Sequence, residues 1–284
     1  MSVVINTNVD ALKIQNILSG STNKLSTAME RMSSGLKVNS AKDDAAGTVI
    51  SARMQVQLNG NEIAQKNVQN GSAMLATAEG NLDVVQDNLT RIRDLTLQAK
   101  NGTYSESEIK AMQDEVDERI AEIDRVSTSS KYSQLSLFED SSMASAGVTF
   151  QVGSNADADN TITAKGDIFK SVKFSTLTTR TGTGLDLTKL DKDGMATALQ
   201  NLDTAIDDIT SRKSLIGSTQ NRLESALDTL TIQFENLSSA KSIITDADIA
   251  SEASKFTQQQ ILQQVSTSLL AQANQAPSIA LSLI

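Results

Sequence analysis

The sequence predicts a mainly α protein, with long helices packed as a coiled-coil or helical-bundle rod and a small β-hairpin region between them. The chain of 284 residues holds a single proline, Pro277, where average usage would supply roughly 14, so almost nothing interrupts a long helix. A 3,4 apolar repeat runs from Leu199 to Ile244. Aromatic residues make up only 3% and Trp is absent, so buried area must come from Leu, Ile, Val, Ala and Met, the palette of helix seams rather than of thick cores.

Near the start, Val9, Leu12, Ile14, Ile17, Leu18, Leu25 and Met29 are interrupted by few charges and fall on more than one side of a helix. Further on, Leu75, Ala78, Leu82, Val85, Leu89 and Ile92 keep strict 3,4 spacing, with Val68 one heptad upstream and Leu95 after a one-residue slip. Asn101-Gly102-Thr103 then breaks the pattern with a turn signal. Ile109, Met112, Val116, Arg119, Ile123 and Val126 resume it as a second helix.

Between about 141 and 190 the helical period vanishes into Ser, Thr, Gly, Asp and Asn. Val148 to Val152 and Thr161 to Thr163 alternate on a period of two, Ile168 to Leu177 reads as a further strand, and Gly153 to Asn160 and Lys165-Gly166-Asp167 read as turns. The main seam follows at Leu199, Leu202, Ile206, Ile209, Lys213, Ile216, Gln220, Leu223, Leu227, Leu230, Phe234, Leu237, Lys241 and Ile244. All but the two lysines and the glutamine are apolar, against 39% for the whole chain, and as one helix the segment would be roughly 70 Å long. With the two earlier helices it makes an antiparallel bundle.

From Phe256 to Ile284 no residue is charged, and Phe256, Ile261, Leu262, Val265, Leu269 and Leu270 again lie on several sides. Two ends that a lone subunit leaves partly wet point to assembly, with neighbours recovering the entropy of ordering them.

Composition removes most chemistry. Without Cys or His there is no thiolate, zinc finger or imidazole base, and a net charge of −9 argues against nucleic acid. No stretch is apolar enough to span a membrane, and the N-terminus lacks a signal-peptide pattern, which predicts either a cytoplasmic protein or export without a cleaved signal. Asp43-Asp44, Asp207-Asp208 and Asp114, Glu115, Asp117 read as solvated helix faces, since adjacent helix positions point about 100° apart. Asp157, Asp159 and Asn160 lack the glycine and closing Glu of a calcium loop, and Gly182-Thr183-Gly184 is too short to cradle a nucleotide. No catalytic, cofactor or metal site is predicted.

Ser33-Ser-Gly-Leu-Lys-Val-Asn-Ser-Ala-Lys-Asp-Asp-Ala-Ala-Gly47 closely resembles the signature stretch of bacterial flagellins. Ile5 to Leu12, Leu89 to Gln98, Glu122 to Ser127, Gly217 to Leu223 and Ile261 to Asn274 resemble further blocks of that family, and only 141 to 190 matches weakly. The resemblance implies an inner coiled-coil domain that pairs the chain ends, 1–40 with 246–284, and an outer rod domain over 41–245. It implies the filament subunit of the swimming flagellum, exported by the flagellar type III route, in a short two-domain form.

It also implies filament-core packing by Val9, Leu12, Ile17, Leu18, Leu25, Phe256, Ile261, Leu262, Val265, Leu269 and Leu270, and partners that include a secretion chaperone, hook-associated and cap proteins. Leu75, Leu82, Val85, Leu89, Ile92, Leu202, Ile206, Ile209, Leu223, Leu227, Leu230 and Phe234 form the rod seam. Arg91, Leu95 and Glu115 occupy positions that in many flagellins form a surface used both in lattice packing and by the innate Toll-like receptor for flagellin; packing alone also accounts for them. Ile243 and Thr245 stand where the family often has a basic and an acidic residue. A hook–filament junction protein, a cytoplasmic coiled-coil adaptor and an enzyme are the competing readings: the junction protein shares such terminal helices but caps an assembly instead of extending it, the adaptor needs no charge-free ends, and the enzyme has only unarranged carboxylates.

Overall fold

Asn8 opens the first helix by accepting the Ala11 N–H on its side chain at 3.0 Å, and α1 (Val9–Ser34) ends where Gly35, at φ 71°, returns its N–H to the Arg31 carbonyl. The computed structural model describes residues 7–139, 141–178 and 185–281, with the backbone alone for Ser141 and 276–281. The Gly182-Thr183-Gly184 stretch lies outside the described residues.

After α1 come α2 (Ala45–Lys100), α3 (Glu106–Ser129), β1 (Lys131–Tyr132), β2 (Leu135–Ser136), α4 (Ser141–Ala146), β3 (Val148–Gln151), β4 (Thr161–Ala164), α5 (Phe174–Leu177), α6 (Lys192–Thr245) and α7 (Ile249–Leu281). Asp44 caps α2 by accepting the Gly47 N–H at 2.9 Å, and Asp43 accepts from Asn39 and Ser40 in the preceding loop. These two carboxylates are therefore turn and cap acceptors rather than a helix face. At α3 a reciprocal capping box joins Ser105 and Glu108.

The chain divides into two units, 1–58 with 235–284, and 59–234. In the 59–234 unit α2 and α3 run antiparallel, as Arg91 meets Glu115 while Asn88 meets Arg119. α2 and α6 also run antiparallel, with Glu79, Asp83 and Arg93 paired to Gln220, Lys213 and Asp203. Leu75, Leu82, Val85, Leu89 and Ile92 from α2 share a core with Leu202, Ile209, Ile216, Leu223 and Leu230 from α6 and Val116, Ile120, Ile123 and Val126 from α3.

The observed stripe on α6 is wider than a two-helix seam. Ala205, Arg212 and Thr219 are buried on one flank, while Ile206, Lys213, Gln220, Leu227 and Phe234 are only partly buried on the other. A third layer causes this: the Arg212 guanidinium donates to the Lys170 carbonyl at 2.7 Å, fixing the segment after β4 against α6. On α3, Arg119 is exposed and Ile120 takes the buried position.

β3 and β4 form an antiparallel hairpin in which Phe150 pairs with Ile162, both buried. Glycines on α2 seat it: a Cβ on Gly71 would lie 2.8 Å from the Phe150 ring, and one on Gly60 2.7 Å from Ser154 Cβ. Asp157 to Asn160 turn the chain inside the hairpin through a short 3-10 turn. The strand expected at Ile168 to Leu177 is absent. Ile168, Phe169, Val172, Phe174 and Leu177 are all buried, a spacing that no two-faced strand produces, and the segment folds as a 3-10 turn followed by α5, with the Phe174 N–H bound to Asp124 at 3.0 Å.

Candidate functional site

In the unit built from both chain ends, α1 and α7 lie antiparallel. Asn8 donates to the Ala273 carbonyl at 2.8 Å, Gln263 to Thr22 at 3.4 Å, and Arg31 reaches Glu252 at 3.4 Å, so positions climb on one helix as they fall on the other. Among the described side chains, those buried on these helices are small or polar: Ser21, Ala28, Ser266 and Glu252. Small side chains let two helix backbones approach closely, and they leave the large aliphatics facing outward.

Val9, Leu12, Ile17, Ile261, Leu262, Val265 and Leu269 are each 39–56% exposed. Leu18, Leu25, Phe256 and Leu270 are partly buried. The pair thus presents a broad apolar surface, and α7 carries no charged residue beyond Lys255. The outward aliphatics are legible in the sequence through the scarcity of charged neighbours. The pairing residues are not, although Ser21 and Ala28 stand one heptad apart, because small residues carry no hydropathy signal.

The same unit exposes Val49 at 54%, Ile50 at 46%, Val56 at 71% and Ile243 at 79%, which no period singles out. Its joint is built from backbone: Lys37 N–H donates to the Thr245 carbonyl at 2.7 Å, and Ala247 N–H to the Gly35 carbonyl at 2.9 Å. Thr245 is itself buried, its hydroxyl donating to Lys241 and meeting Asp246. Lys255 binds Glu252 at 2.7 Å, and this hydrogen bond, with Arg31 adding to it, holds the Glu252 carboxyl below the usual range.

In the 59–234 unit Arg91 clamps Glu115 with two hydrogen bonds, at 2.7 and 3.0 Å, and the guanidinium lowers the Glu115 pKa. Leu95 does not join them at the surface. It is 3% exposed because it follows Ile92 by three positions on the buried face, while Leu97 is the exposed leucine of that turn, at 52%. Asp208 pairs with Arg212, and Asp117 accepts from Gln113. Among the described residues no cluster of three or more carboxylates could hold a metal, and no helix is long and apolar enough to cross a membrane.

Long antiparallel helices around an aliphatic core, and a terminal helix pair that leaves many of its aliphatics exposed, define a mainly helical protein of the coiled-coil and bundle class. Residues 5–143 match the family model for the bacterial flagellin N-terminal helical region, and residues 199–284 match that for the C-terminal helical region. The chain is 35% identical to the flagellin of Halalkalibacterium halodurans over 99% of this chain and 100% of that one. It is 32% identical to the flagellar filament 30.7 kDa core protein of Treponema maltophilum over 96% of each. The chain belongs to the bacterial flagellin family, whose members are structural proteins rather than enzymes. A solved flagellar hook-associated protein from Vibrio parahaemolyticus, 14% identical, has a similar fold, with a TM-score of 0.58 over 72% of this chain and 99% of that one.

Proposed function

We propose that this chain is the repeating subunit of the extracellular bacterial flagellar filament, and that its terminal helix pair is the part that packs against other copies. The observation that carries the reading is the outward row Val9, Leu12, Ile17, Ile261, Leu262, Val265 and Leu269 on a pair whose own contact uses small residues. Fully burying a side chain of this size is worth about 1.5–3 kcal/mol, and with 39–56% of each residue still exposed roughly half of that is left to be gained on packing. Segments 1–40 and 246–284 form the packed inner domain on this reading, and 41–245 the outer one. The full-length relatives are filament proteins, whereas the likeness to the hook-associated protein is one of fold alone, so the junction-protein reading is the weaker.

Before assembly the same aliphatics need cover, which fits a secretion chaperone on α7, with hook-associated and cap proteins at the filament ends. Arg91 and Glu115 remain for lattice packing and for a host Toll-like flagellin receptor, without Leu95. The test compares the wild-type chain with a variant carrying Ile261→Asn, Val265→Asn and Leu269→Asn. All three side chains are exposed, so the variant keeps its helical circular dichroism; the expected result is filaments from the wild type and none from the variant. Equal polymerisation by both would overturn the assigned face.

A further inference from the structure

The dipeptide Asn-Gly occurs at Asn59-Gly60, Asn70-Gly71 and Asn101-Gly102, and all three asparagines are exposed. Their surroundings differ. Gly60 and Gly71 lie inside α2, where the helix holds each glycine N–H against the carbonyl four residues back, and both are required by the close approach of the hairpin. Gly102 follows the end of α2, has φ 65° and has nothing within 4 Å of the position a Cβ would take. Its glycine serves the left-handed turn alone. Asn101 is held at that turn by its N–H on the Gln98 carbonyl at 3.1 Å, and its amide nitrogen meets the Thr103 hydroxyl at 3.3 Å.

We propose that Asn101-Gly102 is a self-modifying site, at which the Asn101 amide is lost and an acidic residue replaces it between α2 and α3. The Gly102 backbone nitrogen attacks Asn101 Cγ and a C–N bond forms. The proton from that nitrogen passes to the departing amide nitrogen, beside the Thr103 hydroxyl, and ammonia leaves. Solvent water then opens the cyclic imide at one of its two carbonyls, giving aspartate or isoaspartate. Glycine permits the ring because it has no side chain to crowd it, and the turn permits it because no helix ladder must open first. At Asn59 and Asn70 α2 must unfold locally before the same ring closes. The new carboxylate stands just past the C-terminal end of α2, where the helix dipole disfavours negative charge, and isoaspartate also adds a methylene to the main chain of the turn.

The experiment incubates the purified full-length protein in warm, mildly alkaline buffer and follows all three peptides by mass spectrometry with isoaspartate-sensitive fragmentation. An identical sample is held in denaturant. The expected result in the native sample is conversion at Asn101 at least about tenfold faster than at Asn59 or Asn70, with the three rates converging in denaturant and an Asn101→Gln variant silent at that peptide. Equal rates at the three sites in the native protein, or an unchanged Asn101 peptide beside conversion in the denatured sample, would overturn the assignment.

Discussion

Glu252 has its side chain withdrawn from water between Lys255 and Arg31, and this makes one carboxylate a pH-dependent fastener of the terminal pair. Its pKa in the folded chain lies below the unfolded value, so its contribution is present above the ordinary carboxylate range and is lost as pH falls through the lowered folded value. Glu252→Gln should therefore lower the melting temperature at neutral pH, by an amount corresponding to about 1–3 kcal/mol, with the gap to wild type closing in acid. Thermal melts of both proteins across pH check this; a gap that persists in acid contradicts it. On α2, Leu89→Ala should cost about 2–5 kcal/mol in urea unfolding, because Leu89 is fully buried. Leu97→Ala, at an exposed position, should stay within about 0.5 kcal/mol of wild type. Leu89 was legible from its place in a 3,4 repeat. The surface role of Leu95 came from a family motif, and a motif carries no direction of facing; only the helix period gives that.

At the scale of the element, two glycines on α2 set opposing effects against each other. Gly80 has open space around the position of a Cβ, so Gly80→Ala should gain about 0.5–1 kcal/mol from helix propensity. At Gly71 the same methyl would sit 2.8 Å from the Phe150 ring, and overpacking of about 1–3 kcal/mol outweighs that gain. Opposite shifts in urea midpoint for the two variants are the expected outcome, and a stabilised Gly71→Ala would mean the hairpin does not press on α2 as described. The long helices were readable because Pro is nearly absent and the apolar period is sustained. The segment from Ile168 to Leu177 was not, since a run buried on every side has no period, and its turns depend on Asp124 and Arg212, which lie far away in sequence. The broad stripe on α6 escaped for a related reason: Ala205, Arg212 and Thr219 do not look like core residues until the segment carrying Lys170 is laid over them.

For the molecule as a whole, the sequence's charge-free tail and the small-residue contact between α1 and α7 lead to one account. The free chain holds its 59–234 unit together with a sealed aliphatic core, while the ends remain a pair whose aliphatics wait for other copies. Removing 256–284 should then abolish filaments and leave a soluble helical protein, because the seams of α2, α3 and α6 lie outside the deleted stretch. Sedimentation and circular dichroism of the truncated chain check this, and long filaments from it would contradict it. Hydrogen exchange on α1 and α7, measured on monomer and on seeded filament, tests the central claim most directly. The account predicts faster exchange over 9–34 and 249–275 in the monomer than over the buried stretches of α2 and α6, and a marked gain in protection of both terminal helices after polymerisation. Filaments in which those two helices exchange as fast as in the monomer would contradict it, as would a chain that stays monomeric despite seeding.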